Sequence, residues 1–161
     1  MRFSVIVVAA SLVSSSAFGQ WVYQKQESAF GDNTTHFALT AKDSYIFGLR
    51  CGSDEMLTLF VTPESLTPDD AEKFSVVPML LLIRVDSNDV FSLEATPESI
   101  EGKMRLSANS EHELTRQIQD ARKRVAVAVS IAGKRFHEVS FNVRGSTDAA
   151  KKLLAACAVD D

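Results

Sequence analysis

Cysteine, histidine and long apolar runs are scarce in this 161-residue chain, and each scarcity removes a class of chemistry. Two cysteines, Cys51 and Cys157, cannot supply a four-ligand zinc site, and no histidine stands at finger spacing to either. No C-x-x-C pair is present to support a thioredoxin-type redox centre. The three histidines, His36, His112 and His137, form no H-E-x-x-H, because His112-Glu113 lacks the second histidine one turn later. Nothing matches G-x-S-x-G, S-x-x-K or a P-loop. "DSNDVF" begins like a calcium loop but lacks the sixth-position glycine and a bidentate Glu in register, so it reads as a hairpin turn. These gaps leave neither a metal nor a cofactor to expect.

Beyond the N-terminus, the most apolar stretch is "VVPMLLLIRV", which holds Pro78 and Arg84 and is too short to span a bilayer. The N-terminus itself reads as an export signal over residues 1–19. Arg2 is followed by "FSVIVVAASLV", and then by small residues that suit cleavage after Ala17 or Gly19. Residues 20–161 are expected to form a single domain, of a length that can bury a real core. The composition, 45% hydrophobic and 24% charged, is that of a globular protein.

Charge is divided unevenly. Residues 20–100 carry five Lys or Arg against thirteen Asp or Glu, whereas residues 101–161 carry eleven against eight. The acidic balance argues against a general nucleic-acid binder and suits a cationic protein partner.

Periodicity supplies the fold class. Alternation predicts strands in "WVYQKQ", in "TTHFALTA" with Phe37, Leu39 and Ala41 on one face, and in "YIFGLRC" with Tyr45, Phe47, Leu49 and Cys51 on one face. It also predicts one in "MLTLFVT", with Leu57, Leu59 and Val61 together. These strands form an antiparallel meander buried on one side. An acidic, proline-containing excursion follows, with a helical turn after Pro68. "MLLLIRVD" and "VFSLEAT" flank a turn, and "KMRLS" adds a short strand.

At "SANSEHELTRQIQDARKRV" the period becomes helical. Ser110 and Glu113 make a capping box, Leu114, Ile118, Ala121 and Val125 form the apolar stripe, and Arg122, Lys123 and Arg124 complete the last turn. "VAVAVSIAGKRFHEVSFNV" is a hairpin turning at Gly133-Lys134, with a small-residue face of Ala126, Ala128, Ser130 and Ala132. Gly145 permits a sharp turn, and Ser146 caps a last helix whose face carries Ala150, Leu153, Leu154 and Cys157. The expected fold is α+β: an antiparallel sheet or small sandwich of eight or nine strands, with two helices in the C-terminal half.

An even pair of cysteines in an exported chain is best read as one disulfide, the alternative being two free buried thiols. A Cys51–Cys157 bridge would close a loop of about 105 residues, for which chain entropy gives roughly 4.7 kcal/mol. Three residues are candidates for a binding patch. Arg50 faces outward beside Cys51, and Arg84 interrupts an apolar strand. If their strands were neighbours, the two could accept an anion or pair with Asp86. His137 beside Glu138 is the one arrangement that could serve as a general base.

Taken in order, Trp21, Cys51, "LLIRVD" with Arg84 and Asp86, and "FNVRGSTDAAKKLLAAC" with Phe141, Gly145 and Cys157 form a pattern. It resembles that of the small exported VasI/TagO-like proteins associated with type VI secretion in Gram-negative bacteria. Val85 departs from it, where an aromatic residue is favoured. The resemblance implies a periplasmic or secreted accessory protein with no defined reaction, whose partner is an envelope or secretion-system protein. An alternative expectation is an acidic inhibitor of a cationic cell-wall hydrolase such as lysozyme. A third is a histidine-dependent enzyme using His137 and Glu138.

Overall fold

The structure is a computed structural model that describes residues 19–29, 33–52 and 55–157. The expected signal segment, 1–19, lies outside the described residues except for Gly19. The elements run β1 (Val22–Glu27), β2 (Thr34–Lys42), β3 (Tyr45–Gly52), β4 (Glu55–Ser65), α1 (Pro68–Phe74), β5 (Met79–Val85), β6 (Phe91–Ile100), β7 (Lys103–Asn109), α2 (His112–Asp120), β8 (Val125–Ile131), β9 (Lys134–Phe141) and α3 (Ser146–Ala156). The nine strands form one antiparallel sheet in the order β1-β2-β3-β4-β7-β6-β5-β8-β9. The α+β expectation holds, with nine strands and two of three helices in the C-terminal half.

Three hairpins turn on two residues that both have positive φ: Asp43-Ser44, Glu101-Gly102 and Ala132-Gly133. That geometry matches the right-handed twist of the strands it joins. The last of these corrects the expected Gly133-Lys134 turn. Lys134 pairs with Ile131 in the ladder, so the loop is one residue earlier.

The sheet curls until its two ends meet. Trp21 donates its backbone N–H to the carbonyl of Arg144 at 2.8 Å and its indole N–H to that of Asn142 at 2.9 Å. Lys42 reaches the carbonyl of Ser140 at 2.9 Å. Inside the curl, α2 and α3 cover one face of the sheet. Phe47, Phe60, Leu81, Leu106 and Phe141 meet Leu114 and Ile118 of α2 and Leu153 of α3, all essentially without solvent contact. Each such side chain contributes about 1.5–3 kcal/mol by leaving water.

Two strands bury the face opposite to the expected one. In β2 the inner residues are Ala38 and Thr40, not Phe37, Leu39 and Ala41. In β4 they are Met56, Thr58, Phe60 and Thr62, not Leu57, Leu59 and Val61 as a set. The helices supply the reason. α3 lies against β1 and β2 with Ala149 and Ala150 buried, and the small Ala38 and Thr40 of β2 leave it room. Pairing then carries the choice across the sheet, because Thr40 lies opposite Phe47 and Phe47 opposite Phe60.

Helix ends also differ from expectation. α2 ends at Asp120, so Arg122, Lys123 and Arg124 lie beyond it in a bend that leads into β8, to which Val125 belongs. Its N-cap is Glu111, with no side-chain cap, rather than Ser110. α3 is capped by Gly145 at φ 83°, with Ser146 as its first residue. A Cβ on Gly145 would lie 2.7 Å from the Trp21 carbonyl, so the turn and the sheet closure both require glycine there. α1 is two turns long and capped by Thr67, whose hydroxyl accepts from the Asp70 N–H.

Candidate functional site

The outer face of the sheet is where side chains remain available. Across β1 to β4, neighbours in the ladder place Val22, Phe37, Leu39, Ala41, Ile46, Leu57, Leu59 and Val61 on this side. Gly48 sits at the centre, where a Cβ would lie 2.3 Å from the Leu39 side chain. Leu39 and Leu59 therefore close over it, and Leu59 is only 7% exposed. Ile46 at the border is 40% exposed. Among the described residues, no helix covers this apolar surface.

Arg50 stands within that surface, directly opposite Phe37 on one side and Leu57 on the other. Its side chain has no hydrogen bond or ion pair among the described residues. Its charge acts on Glu98, which is already engaged: Arg105 pairs with it at 2.7 Å and Ser107 donates to it at 2.7 Å. Burial pulls the Glu98 carboxyl upward. The Ser107 hydroxyl and the Arg105 guanidinium, with Arg50 beyond, outweigh that and hold it below the usual carboxylate range. Next to this network, a cleft of about 730 Å³ opens where residues 75–78 meet β6 and β7. Glu94, Glu98 and the 82%-exposed Val76 line it.

Arg84 does not join Arg50. β4, β7 and β6 separate their strands, so the single patch expected from the sequence is two separate places. Periodicity along one strand carries no information on strand order, which is why the sequence left this open. Arg84 instead lines a groove of about 160 Å³ over β5, β8 and β9, with Leu82, Val90, Arg124, Ala126, Ala128, Arg135, Glu138 and Ser140. The small-residue face of β8 is the floor of this groove, and no helix rests on it among the described residues.

Asp86 pairs with neither arginine side chain. Its carboxylate accepts the backbone N–H groups of Arg122, Lys123 and Arg124 at 2.7, 2.8 and 2.9 Å. Its own N–H donates to the Arg124 carbonyl at 2.9 Å. Burial pulls this carboxyl upward too, but the three N–H donors prevail and hold it below the usual range. Asp86 is therefore a clamp on the segment that enters β8. The role was missed because a turn aspartate and a basic segment 36 residues later carry no joint signal in sequence.

The histidines are placed apart. His36 Nδ1 lies 2.7 Å from the Tyr23 hydroxyl. His137 has φ 52° at the bulge where β9 slips register against β8, and its Nδ1 lies 3.3 Å from the Tyr45 hydroxyl. Its neighbour Glu138 faces Arg135 at 3.8 Å. No hydrogen bond joins His137 to Glu138 among the described residues. Nor do three His, Cys, Asp or Glu side chains gather there as a metal site.

Cys51 and Cys157 are bonded to each other, with Cα atoms 6.2 Å apart. The bridge ties the C-cap of α3 to β3, as expected from the sequence. Among the described residues, no helix is long and apolar enough to cross a membrane. The chain matches no family profile, and no curated protein or solved structure is significantly similar to it.

Proposed function

We propose that this is a non-enzymatic, exported accessory protein of the cell envelope, periplasmic or secreted, that works by binding another protein. The observation that carries the reading is the apolar outer surface of β1 to β4, which no helix covers among the described residues, with Arg50 standing within it and making no hydrogen bond or ion pair there. Contiguous apolar surface of this kind marks interaction sites on soluble proteins. An arginine flanked by a phenylalanine and a leucine has the composition of an interface anchor. The disulfide supports export, since such bridges persist in oxidising compartments. Resemblance to the VasI/TagO-like group directs the search toward envelope and secretion-system partners.

Photo-crosslinking in cells tests this reading, with the crosslinker placed at Ile46 on the outer face and, as a control, at Lys151 on α3. Recovery of one envelope or secretion-system protein from the Ile46 position alone is the expected result. Equal recovery from both positions would sink the proposal.

A second reading, inhibition of a cationic cell-wall hydrolase, is favoured by the cleft beside Glu94 and Glu98. It requires inhibition of lysozyme that fades with rising salt and is lost in Glu94→Gln.

A further inference from the structure

The groove over β5, β8 and β9 is lined by more positive than negative charge. Three guanidiniums, from Arg84, Arg124 and Arg135, face one carboxylate, Glu138. Glu138 lies 3.8 Å from Arg135, which leaves Arg84 and Arg124 with no side-chain partner among the described residues. Arg124, which immediately precedes β8, is the diagonal neighbour of Arg84 on β5, since Arg84 lies opposite Ala126 and Val85 opposite Val125. Like charges on neighbouring positions repel. Asp86, the carboxylate closest in sequence, is occupied by the three backbone N–H groups. Its clamp also fixes the backbone that carries Arg124.

Between the arginines the floor is apolar and shallow. Ala126 and Ala128 leave room, while Leu82 and the 41%-exposed Val90 form its apolar sides. At about 160 Å³ the groove is smaller than the roughly 300–1,000 Å³ of sites that enclose a whole small molecule. Such a space suits a few side chains of a longer chain. A free inorganic anion would meet the guanidiniums and leave the apolar sides unused.

We propose that this groove binds an extended acidic segment of a protein partner, holding one carboxylate between Arg84 and Arg124 and an adjacent apolar side chain against Leu82 and Val90. Arginine forks bind carboxylates bidentately, and this carboxylate would relieve the repulsion between the two cations. The site is distinct from the apolar surface of β1 to β4 and does not depend on the envelope reading.

The test is an NMR titration of the oxidised, isotope-labelled protein with the blocked peptide acetyl-Leu-Glu-Leu-amide, its Gln counterpart and inorganic phosphate, each at millimolar concentration. The Glu peptide is expected to shift the amides of Arg84, Arg124, Ala126 and Ala128, and the Gln peptide to leave them in place. Arg84→Gln and Arg124→Gln should each weaken binding roughly tenfold, the loss of one charge-assisted hydrogen bond. Lys151→Gln should bind as the unaltered protein does. Both arginines are exposed, so an unchanged or raised Tm in these variants confirms folding. The proposal is overturned if the Glu peptide shifts nothing, or if both peptides shift these amides equally. Phosphate shifting them as strongly as the peptide would make this a small-anion site and overturn it as well.

Discussion

Ile46 and Phe47 are consecutive in β3, yet Ile46 is 40% exposed and Phe47 is fully buried. The contrast reflects what lies against each face of the sheet. Its inner face is apolar and covered by α2 and α3, whereas its outer face is apolar over β1 to β4 with no helix among the described residues to cover it. Over β5, β8 and β9 the outer face changes character, to alanines and serines walled by arginines. Equal hydrophobicity on two faces therefore has two meanings. One side specifies the fold and the other is available to a partner, and packing decides which is which.

The largest test of this comparison replaces each of the two neighbours by alanine. Phe47→Ala should lose about 3–5 kcal/mol in urea unfolding, the cost of a large core deletion. Ile46→Ala should stay within about 0.5 kcal/mol, as surface substitutions do. Equal losses would mean that the outer face is part of the core.

Of intermediate size is the cost of releasing α3 from β3. Cys157→Ala should destabilise by about 2–5 kcal/mol, as loss of a native disulfide does in small secreted domains. Hydrogen exchange should accelerate first in α3, because an isolated helix of 11 residues is marginal. If α3 stays as protected as the strands, its packing against β1 and β2 holds it without the bridge.

Smallest is the clamp at the basic end. Asp86→Asn keeps a residue that tolerates φ 54° while removing the charge that three N–H groups share. It should cost about 1 kcal/mol at neutral pH, modest because the site is close to solvent. The folded carboxyl titrates below its unfolded value of about 3.9. Its stabilisation is thus complete above that pH and lost as pH falls through the folded pKa. The difference between Asp86→Asn and the unaltered protein should accordingly vanish in strong acid. A difference that persists there would assign the effect to packing.

Much of the fold was legible in the residues themselves. Alternation located the strands, the change to helical spacing located α2 and α3, and the placement of Cys51 and Cys157 on apolar faces anticipated their bond. Faces were less legible: in β2 and β4 both sides carry apolar residues, so periodicity alone had no basis for choosing between them. The candidate site was the least legible. Arg50 stands out as an outward cation and Arg84 as a break in an apolar strand, but their separation, the shared groove of Arg84 and Arg124 and the clamp by Asp86 all depend on strand order.

Local patterns along one strand or helix are written in sequence because backbone geometry repeats every 2 or 3.6 residues. From that repetition the antiparallel α+β class can be read directly, and the two cysteines on apolar faces add one disulfide. Which face α3 would cover, which strands would be neighbours and which arginines would stand together were decided only by tertiary structure. They follow from side chains of distant segments competing for the same space, a competition that no single stretch of chain contains.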